Sequence, residues 1–205
     1  MGPFKENICN TFNGIIIDDV ASYEQKLELE NIYITGKGVF YEEVDCSQVE
    51  IVGAGIFNNM LTCDDLNIEG SCQCKWSLLA ENIKVSGSIA AVDTVHTDSF
   101  CILDGTADIK DTLKCCDFNL ESGETSYIDR IVAENCKVAA LGNEECIVLH
   151  CDKMECYDAD LEYCKVRYLK CDNIKLGKGC EVDTLECFEK LEINEMAKVG
   201  KIVRI

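Results

Sequence analysis

With 205 residues, 47% of them hydrophobic, and a single proline, the chain can bury one sizeable core, which excludes a disordered chain or domains joined by a proline-rich linker. Its formal net charge of −19 argues against nucleic-acid binding and disfavours membrane association, because both surfaces attract Lys and Arg. No secretory signal and no run of about 20 apolar residues is visible, so a cytoplasmic location is expected.

The first 26 residues precede the regular part of the chain and are predicted to form a leader or cap. Within them, "GIIIDD" from Gly14 is apolar enough to fold over the first unit of a repeat. Residues 27–205 form a second predicted region, in which phrases like "LTCDDLNIEG" from Leu61 recur at steps of 16 to 20 residues, most of them 17 or 18. The units begin at Leu27, Val44, Leu61, Leu78, Val95, Leu113, Ile131, Leu149, Leu169 and Leu185.

Each unit has the pattern of short strands separated by corners. In the unit from Leu61, Leu61 and Cys63 alternate inward, a polar pair forms a corner, Leu66 and Ile68 alternate inward again, and Gly70 marks a second bend. The less regular remainder supplies a third strand. The sequence therefore predicts an all-β fold, a single-stranded, three-sided parallel β-helix of about ten coils of 17 to 18 residues.

Cysteine recurs at the third place of the unit, beside the first corner. This inward position accepts only small side chains, and a buried cysteine behaves as a small hydrophobe. Side chains stacked in parallel register point alongside one another, so free thiols are expected rather than disulfides. The predicted interior column consists of Cys46, Cys63, Cys115, Cys151, Cys171 and Cys187.

Metal binding is the alternative interpretation of the 16 cysteines. The nearest candidates are the "CQC" motif of Cys72 and Cys74 and the adjacent pair Cys115 and Cys116. A tetrahedral thiolate site commonly uses two CxxC pairs, which this sequence lacks. We therefore expect no metal and no other cofactor, although a carrier of thiol-bound metal stays a third hypothesis for function.

Enzymatic alternatives rest on two kinds of residue. A hexapeptide-repeat transferase uses a histidine as general base, but His96 and His150 occupy outward places on different coils, and the 17-residue steps break the six-residue rhythm. Carboxylates at outer corners could act as acid and base in a polysaccharide-cleaving solenoid. These are Asp64, Asp65, Asp98 and Asp117, and we expect them to be solvated corner residues.

Phrases such as "AENIKVSGSI" from Ala80 and "IDRIVAENCKVAAL" from Ile128 resemble the repeat of the bactofilins, bacterial cytoskeletal proteins that form polymers. The resemblance covers about residues 27–203. It implies a right-handed β-helix and a role in filaments. The single proline and the cysteine-rich, acidic composition differ from the usual pattern of that family, whose members often carry proline-rich tails.

The ends of a solenoid expose strand edges and a cross-section of the core, so they are either capped or paired with another molecule. At the C-terminal end, "KVGKIVRI" is predicted to add a last apolar strand that self-associates through Ile202, Val203 and Ile205. The predicted function is a non-enzymatic scaffold or cytoskeletal element whose partner is another copy of itself. The alternative is a small β-helix enzyme or nucleotide-sugar binding protein of the hexapeptide-transferase type.

Overall fold

The structure is a computed structural model that describes residues 13–142 and 146–204. All regular elements in these ranges are β-strands. They are β1 (Gly14–Ile17), β2 (Val20–Tyr23), β3 (Leu27–Ile34), β4 (Lys37–Phe40), β5 (Val44–Ile51), β6 (Ala54–Phe57), β7 (Leu61–Ile68), β8 (Ser71–Cys74), β9 (Leu78–Val85), β10 (Ser88–Ala91), β11 (Val95–Leu103), β12 (Thr106–Lys114), β13 (Asp117–Ser122), β14 (Ser126–Val132), β15 (Asn135–Ala140), β16 (Leu149–Leu161), β17 (Cys164–Leu176), β18 (Glu181–Ile193) and β19 (Lys198–Arg204).

Strands pair in parallel with the strands one coil before and after them, except that β1 and β2 have no described strand before them and β19 has none after it. β7, for example, aligns Leu61 with Val44 of β5 and with Leu78 of β9. We name the three sides of the solenoid by the coil that starts at Leu61: side A holds residues 61–63, side B residues 66–68, and side C residues 71–74. The short strands β4, β6, β8 and β10 lie on side C, where they pair with one another.

The solenoid has about eleven turns, so the predicted parallel β-helix is confirmed. At a spacing of about 4.8 Å between coils, it is a rod roughly 50 Å long. The extra turn comes from β1 and β2, which pair in parallel with β3 and β4. Among the described residues, the parallel pairing therefore begins at Gly14, within the region predicted to be a leader or cap. The right-handed sense of the coil stays a prediction.

One predicted unit boundary, Leu149, is wrong. In the structure Leu149 pairs with Ser126 and Cys164 on side C, whereas Ile131 of side A pairs with Met154. The coil after Ile131 is thus 23 residues long, because the chain leaves the regular path between β15 and β16. The next coil, from Met154 to Leu169, is compensatingly short at 15 residues.

The core is a stack of inward side chains that repeats from coil to coil. On side C, Tyr23, Phe40 and Phe57 form a continuous aromatic stack, with ring centroids 5.3 and 4.8 Å apart. Gly55 makes room for this stack, because a Cβ there would lie 2.8 Å from Cδ1 of Ile51 and 3.2 Å from the ring of Phe57. Large and small side chains therefore alternate within the coil to fill a narrow interior.

Glycines stack at the corner between sides B and C. Gly70 donates its backbone N–H to the Ile51 carbonyl at 2.9 Å, and a Cβ on Gly70 would overlap the backbone carbonyls of Val52 and Gly53. Coils approach so closely here that any side chain is excluded. The ladder consists of Gly36, Gly53, Gly70 and Gly87, and we call it the glycine corner.

Within residues 13–142 and 146–204 no helix is long and apolar enough to cross a lipid bilayer.

Candidate functional site

The last described coil leaves part of the core uncovered. Ile202 lies in the inward column of side A, paired with Leu185, yet it is 46% exposed whereas Leu185 is 0% exposed. On side B, Ile193 is 41% exposed although its column neighbour Leu176 is buried. Nothing among the described residues stacks on these side chains, so the core ends in an apolar surface.

We call this surface the terminal patch. Leu191 on side B and Ala197 and Val199 on side C are half-buried members of other inward columns. Met196, at the corner before β19, adds an apolar side chain that is 58% exposed. The patch consists of Leu191, Ile193, Met196, Ala197, Val199 and Ile202.

The predicted self-association residues separate in the structure. Ile202 belongs to the terminal patch. Val203 aligns with Glu186, faces outward from side A and is half-buried. Ile205 lies outside the described residues. Sequence reasoning missed Leu191, Ile193 and Met196, although the period-two alternation of "KLEIN" could have placed the first two in inward columns.

The backbone at this end offers a free strand edge. β19 pairs with β18, and the described residues supply no strand on its other side. Residues 190–193 of β18 likewise pair only with β17 within the described part of the chain. Unpaired N–H and C=O groups along such an edge are ready to pair with another strand.

This end of the rod carries charges of both signs. β19 carries Lys198 and Lys201, while Glu192 and Glu195 are exposed beside the terminal patch. Lys198 is 2.8 Å from Glu181, a side-chain hydrogen bond that lowers the pKa of Glu181. At the other end of the rod, the first coil carries Asp18, Asp19 and Glu24 together with Lys26. Both ends therefore carry mixed charge.

The predicted cysteine column is mostly a side A feature, with one correction. Cys46, Cys63, Cys115, Cys171 and Cys187 are buried beside the corner between sides A and B. Cys151 is also buried, but it pairs with Ile128 and Val166 on side C. Cys156, which pairs with Cys171, takes the place assigned to Cys151. The misplacement follows from the wrong boundary at Leu149.

These thiols hold corners together by hydrogen bonds. Cys171 Sγ lies 3.0 Å from the Asn173 carbonyl of its own corner and 3.1 Å from the Tyr157 carbonyl of the preceding coil. Thr97 makes the same pair of contacts, at 3.0 Å to Ser99 and 2.8 Å to Glu81. The column therefore accepts small side chains, and where these are thiols or hydroxyls they donate to the carbonyls of the corner.

Burial keeps these thiols protonated at neutral pH. Removal from water raises the pKa of Cys46, Cys115 and Cys151 to about 12. The pKa of Cys171 is also raised, first by its hydrogen bond with Cys156 and then by burial. Protonated thiols are poor nucleophiles and poor metal ligands, so this column has a structural role.

The candidate metal ligands do not converge. Cys72 and Cys74 are a buried pair with Sγ atoms 3.8 Å apart, while Cys115 is buried and Cys116 is exposed. All the cysteines in the described ranges are free. Among those residues no group of three or more His, Cys, Asp or Glu is placed to hold a metal ion.

The candidate catalytic residues are dispersed as well. His96 is exposed on side A, and His150 stacks on Tyr127 on side C with centroids 5.0 Å apart. Asp64 and Asp98 are exposed. Asp65 accepts a hydrogen bond from Asn82 at 3.1 Å.

Asp117 accepts a hydrogen bond from Asn135 in the same way, at 2.8 Å. These carboxylates form an Asp–Asn ladder along the corner between sides A and B, which ties successive coils together. The described residues thus bring none of the candidate acids and bases into one catalytic arrangement.

Comparisons with models of protein families, with curated proteins and with solved structures find no match for this chain. The resemblance to the bactofilins therefore stays a prediction, and the terminal patch is the feature of the molecule on which a function can be argued.

Proposed function

We propose that this protein is a non-enzymatic structural element whose copies associate end to end, a role similar to that expected of a bactofilin-like scaffold. The observation that carries the proposal is the terminal patch, in which side chains of the inward columns are uncovered. Ile193 and Ile202 are 41% and 46% exposed, whereas the residues one coil earlier in their columns are buried.

The geometry of the coils supports a head-to-tail contact. The described strands begin on side B with β1 and end on side A with β19. A second copy placed on the last coil would therefore continue the order of the sides. Its Ile15 would stack on Leu191, and its Leu27 would stack on Ile202. A heterologous contact of this kind does not close on itself and generates filaments.

Burial of the terminal patch favours this contact. Fully burying an exposed aliphatic side chain contributes about 1.5 to 3 kcal/mol, and the terminal patch offers several, set against the entropy cost of association. In the register that stacks Leu27 on Ile202, Lys26 of the next copy aligns with Lys201, so the continued order of the sides, and not charge, selects the head-to-tail orientation.

The experiment compares Ile202→Asp with Leu103→Asp by size-exclusion chromatography and light scattering. Both side chains are about half exposed, at 46% and 49%, but Leu103 lies on a lateral corner away from the ends. We expect the wild type and Leu103→Asp to form large assemblies and Ile202→Asp to remain monomeric. Equal masses for the two variants would contradict the proposed contact.

A further inference from the structure

One side of the rod carries no charge over three successive coils. Side C exposes outward pairs from β6, β8 and β10, followed by the first outward residue of β12, and these residues align in register. We call this surface the neutral face. It consists of Ala54, Ile56, Ser71, Gln73, Ser88, Ala90 and Thr106.

The outward columns of the other two sides carry charge in these coils. Side A presents Asp45 before Thr62 and Leu79, and side B presents Glu50 and Lys84. In a molecule with a formal net charge of −19, an uncharged face lets a second copy approach without like-charge repulsion from that face.

The side chains of the neutral face are also short. Its side chains are mostly Ala, Ser and Thr, and they line a shallow depression of about 530 Å³. Small side chains allow two sheets to approach face to face with close packing. Ile56 and Ala90 are half-buried and supply apolar contact on either side of the Ser71–Gln73 row.

Opposite charges mark the two ends of the neutral face. Lys37 lies one coil before Ala54, and Asp108 lies one coil after Ala90. Asp108 is paired with Lys110 at 2.6 Å, while Lys37 has no ion pair among the described residues. The neutral face therefore has a positive side chain at one end and a negative side chain at the other, and its centre is uncharged.

We propose that the neutral face packs against the neutral face of a second copy, with the two rods antiparallel. A two-fold axis along the Ser71–Gln73 row places Ala54 and Ile56 over Ser88 and Ala90. It also sets Lys37 of each copy over Thr106 of the other, and Asp108 is the next outward residue after Thr106 on the same strand. A parallel arrangement would instead bring like charges into the same row, so the charge pattern selects the antiparallel one.

The size of the face determines when this contact forms. Four rows about 4.8 Å apart and about four residues wide cover on the order of 250 Å² per copy, well below the roughly 800 Å² per partner of a stable pair. The lateral contact consequently rests on the proposed end-to-end assembly, which aligns many neutral faces along two rods and adds their weak contacts. Paired filaments are the expected product.

The test uses Gln73→Glu, an isosteric change at the proposed two-fold axis that sets two carboxylates against each other. Gln48→Glu, at an exposed position on the corner between sides A and B, is the matched control. By electron microscopy, wild type and Gln48→Glu should form paired rods, and Gln73→Glu should form single rods of similar length. Single rods in the wild type, or pairs that persist in Gln73→Glu, overturn the proposal.

A charge exchange tests the antiparallel orientation separately. Lys37→Glu should reduce the paired fraction severalfold, and the double variant Lys37→Glu with Asp108→Lys should restore it. Failure of the double variant to restore pairing, in protein that still forms rods, overturns the antiparallel arrangement.

The failure of the proposed function is distinguishable from failure of this contact. If the wild type forms no long rods, the contact is measured as weak self-association by sedimentation equilibrium at millimolar protein concentration. A rise in average mass that Gln73→Glu removes and Ile202→Asp leaves intact supports the neutral-face contact, whereas the mass of one chain throughout the series overturns it.

Discussion

Two corners of this rod are closed by different means. Between sides B and C of the early coils, which keep a 17-residue period from residue 27 to residue 91, the glycine corner brings backbones into direct contact. Between sides A and B, buried small side chains lie beside the corner, and Cys171 reaches the Asn173 and Tyr157 carbonyls.

The difference shows two physical solutions for a sharp corner in a narrow solenoid. Where two coils touch at the corner between sides B and C, no side chain fits. Glycine lets the backbones approach closely enough for hydrogen bonds such as the one from the Gly70 N–H to the Ile51 carbonyl. At the corner between sides A and B, a thiol or hydroxyl donates to nearby carbonyl groups, which stabilises the corner because an unpaired buried carbonyl is costly. Thr97 shows that the second solution depends on the donor and not on sulfur.

Raising the pH above about 8.5 should lower the free energy of unfolding through the buried thiols, whereas the glycine corner has no group that titrates in this range. An unfolded thiol has a pKa near 8.5, whereas burial raises the pKa of Cys46, Cys115 and Cys151 to about 12. Above pH of about 8.5 the unfolded chain releases protons that the folded chain retains, so stability falls as pH rises. These three thiols together lose about 4 kcal/mol of the free energy of unfolding per pH unit.

Urea unfolding between pH 7 and 10.5 measures this slope. The stabilisation is complete below the unfolded pKa and is lost toward pH 12. Changing both Cys46 and Cys115 to Ala should make the slope shallower, because two of the titrating thiols are removed. The column accepts alanine, since Ala80 already occupies it. A wild-type slope that equals the slope of the double variant would contradict the buried, protonated state of these thiols.

Gly70→Ala should destabilise the early coils by about 3 kcal/mol or more, because the new Cβ would overlap the carbonyls of Val52 and Gly53. Gly123→Ala is the matched control, since a Cβ there meets nothing within 4 Å. Thermal and urea unfolding of both variants measure the difference. If Gly70→Ala is as stable as Gly123→Ala, the glycine corner is not closely packed.

Thr97→Val should cost about 1 to 3 kcal/mol, since it keeps the side-chain shape but leaves the Glu81 and Ser99 carbonyls without their donor. Cys171→Ser should cost less than Cys171→Val, because the hydroxyl retains a donor. Urea unfolding of the three variants measures these free energies. Equal costs for the Ser and Val variants at residue 171 would contradict a stabilising hydrogen bond donated by Cys171.

The sequence was sufficient for the repeat, the three sides and the burial of the cysteines, because period-two alternation and corner residues are local signals. It failed at Leu149, where an 18-residue step from Ile131 matched the period by coincidence. The chain between β15 and β16 departs from the coil, and only the pairing of Met154 with Ile131 reveals the true register.

Other features needed the folded structure for physical reasons. Residues 14–23 form strands because they pair with the edges of β3 and β4, and no local sequence pattern predicts this pairing. Cys156 could be placed only after the register was known. Ile193 and Ile202 carry ordinary inward patterns, and what distinguishes them is the lack of a following described coil.

The most direct test of end-to-end association is the weight-average mass of reduced wild-type protein, measured by light scattering across a concentration series at neutral pH. Association through the terminal patch predicts a mass that rises continuously with concentration well beyond the 22.8 kDa of one chain. A mass that stays at 22.8 kDa over the whole series would contradict it.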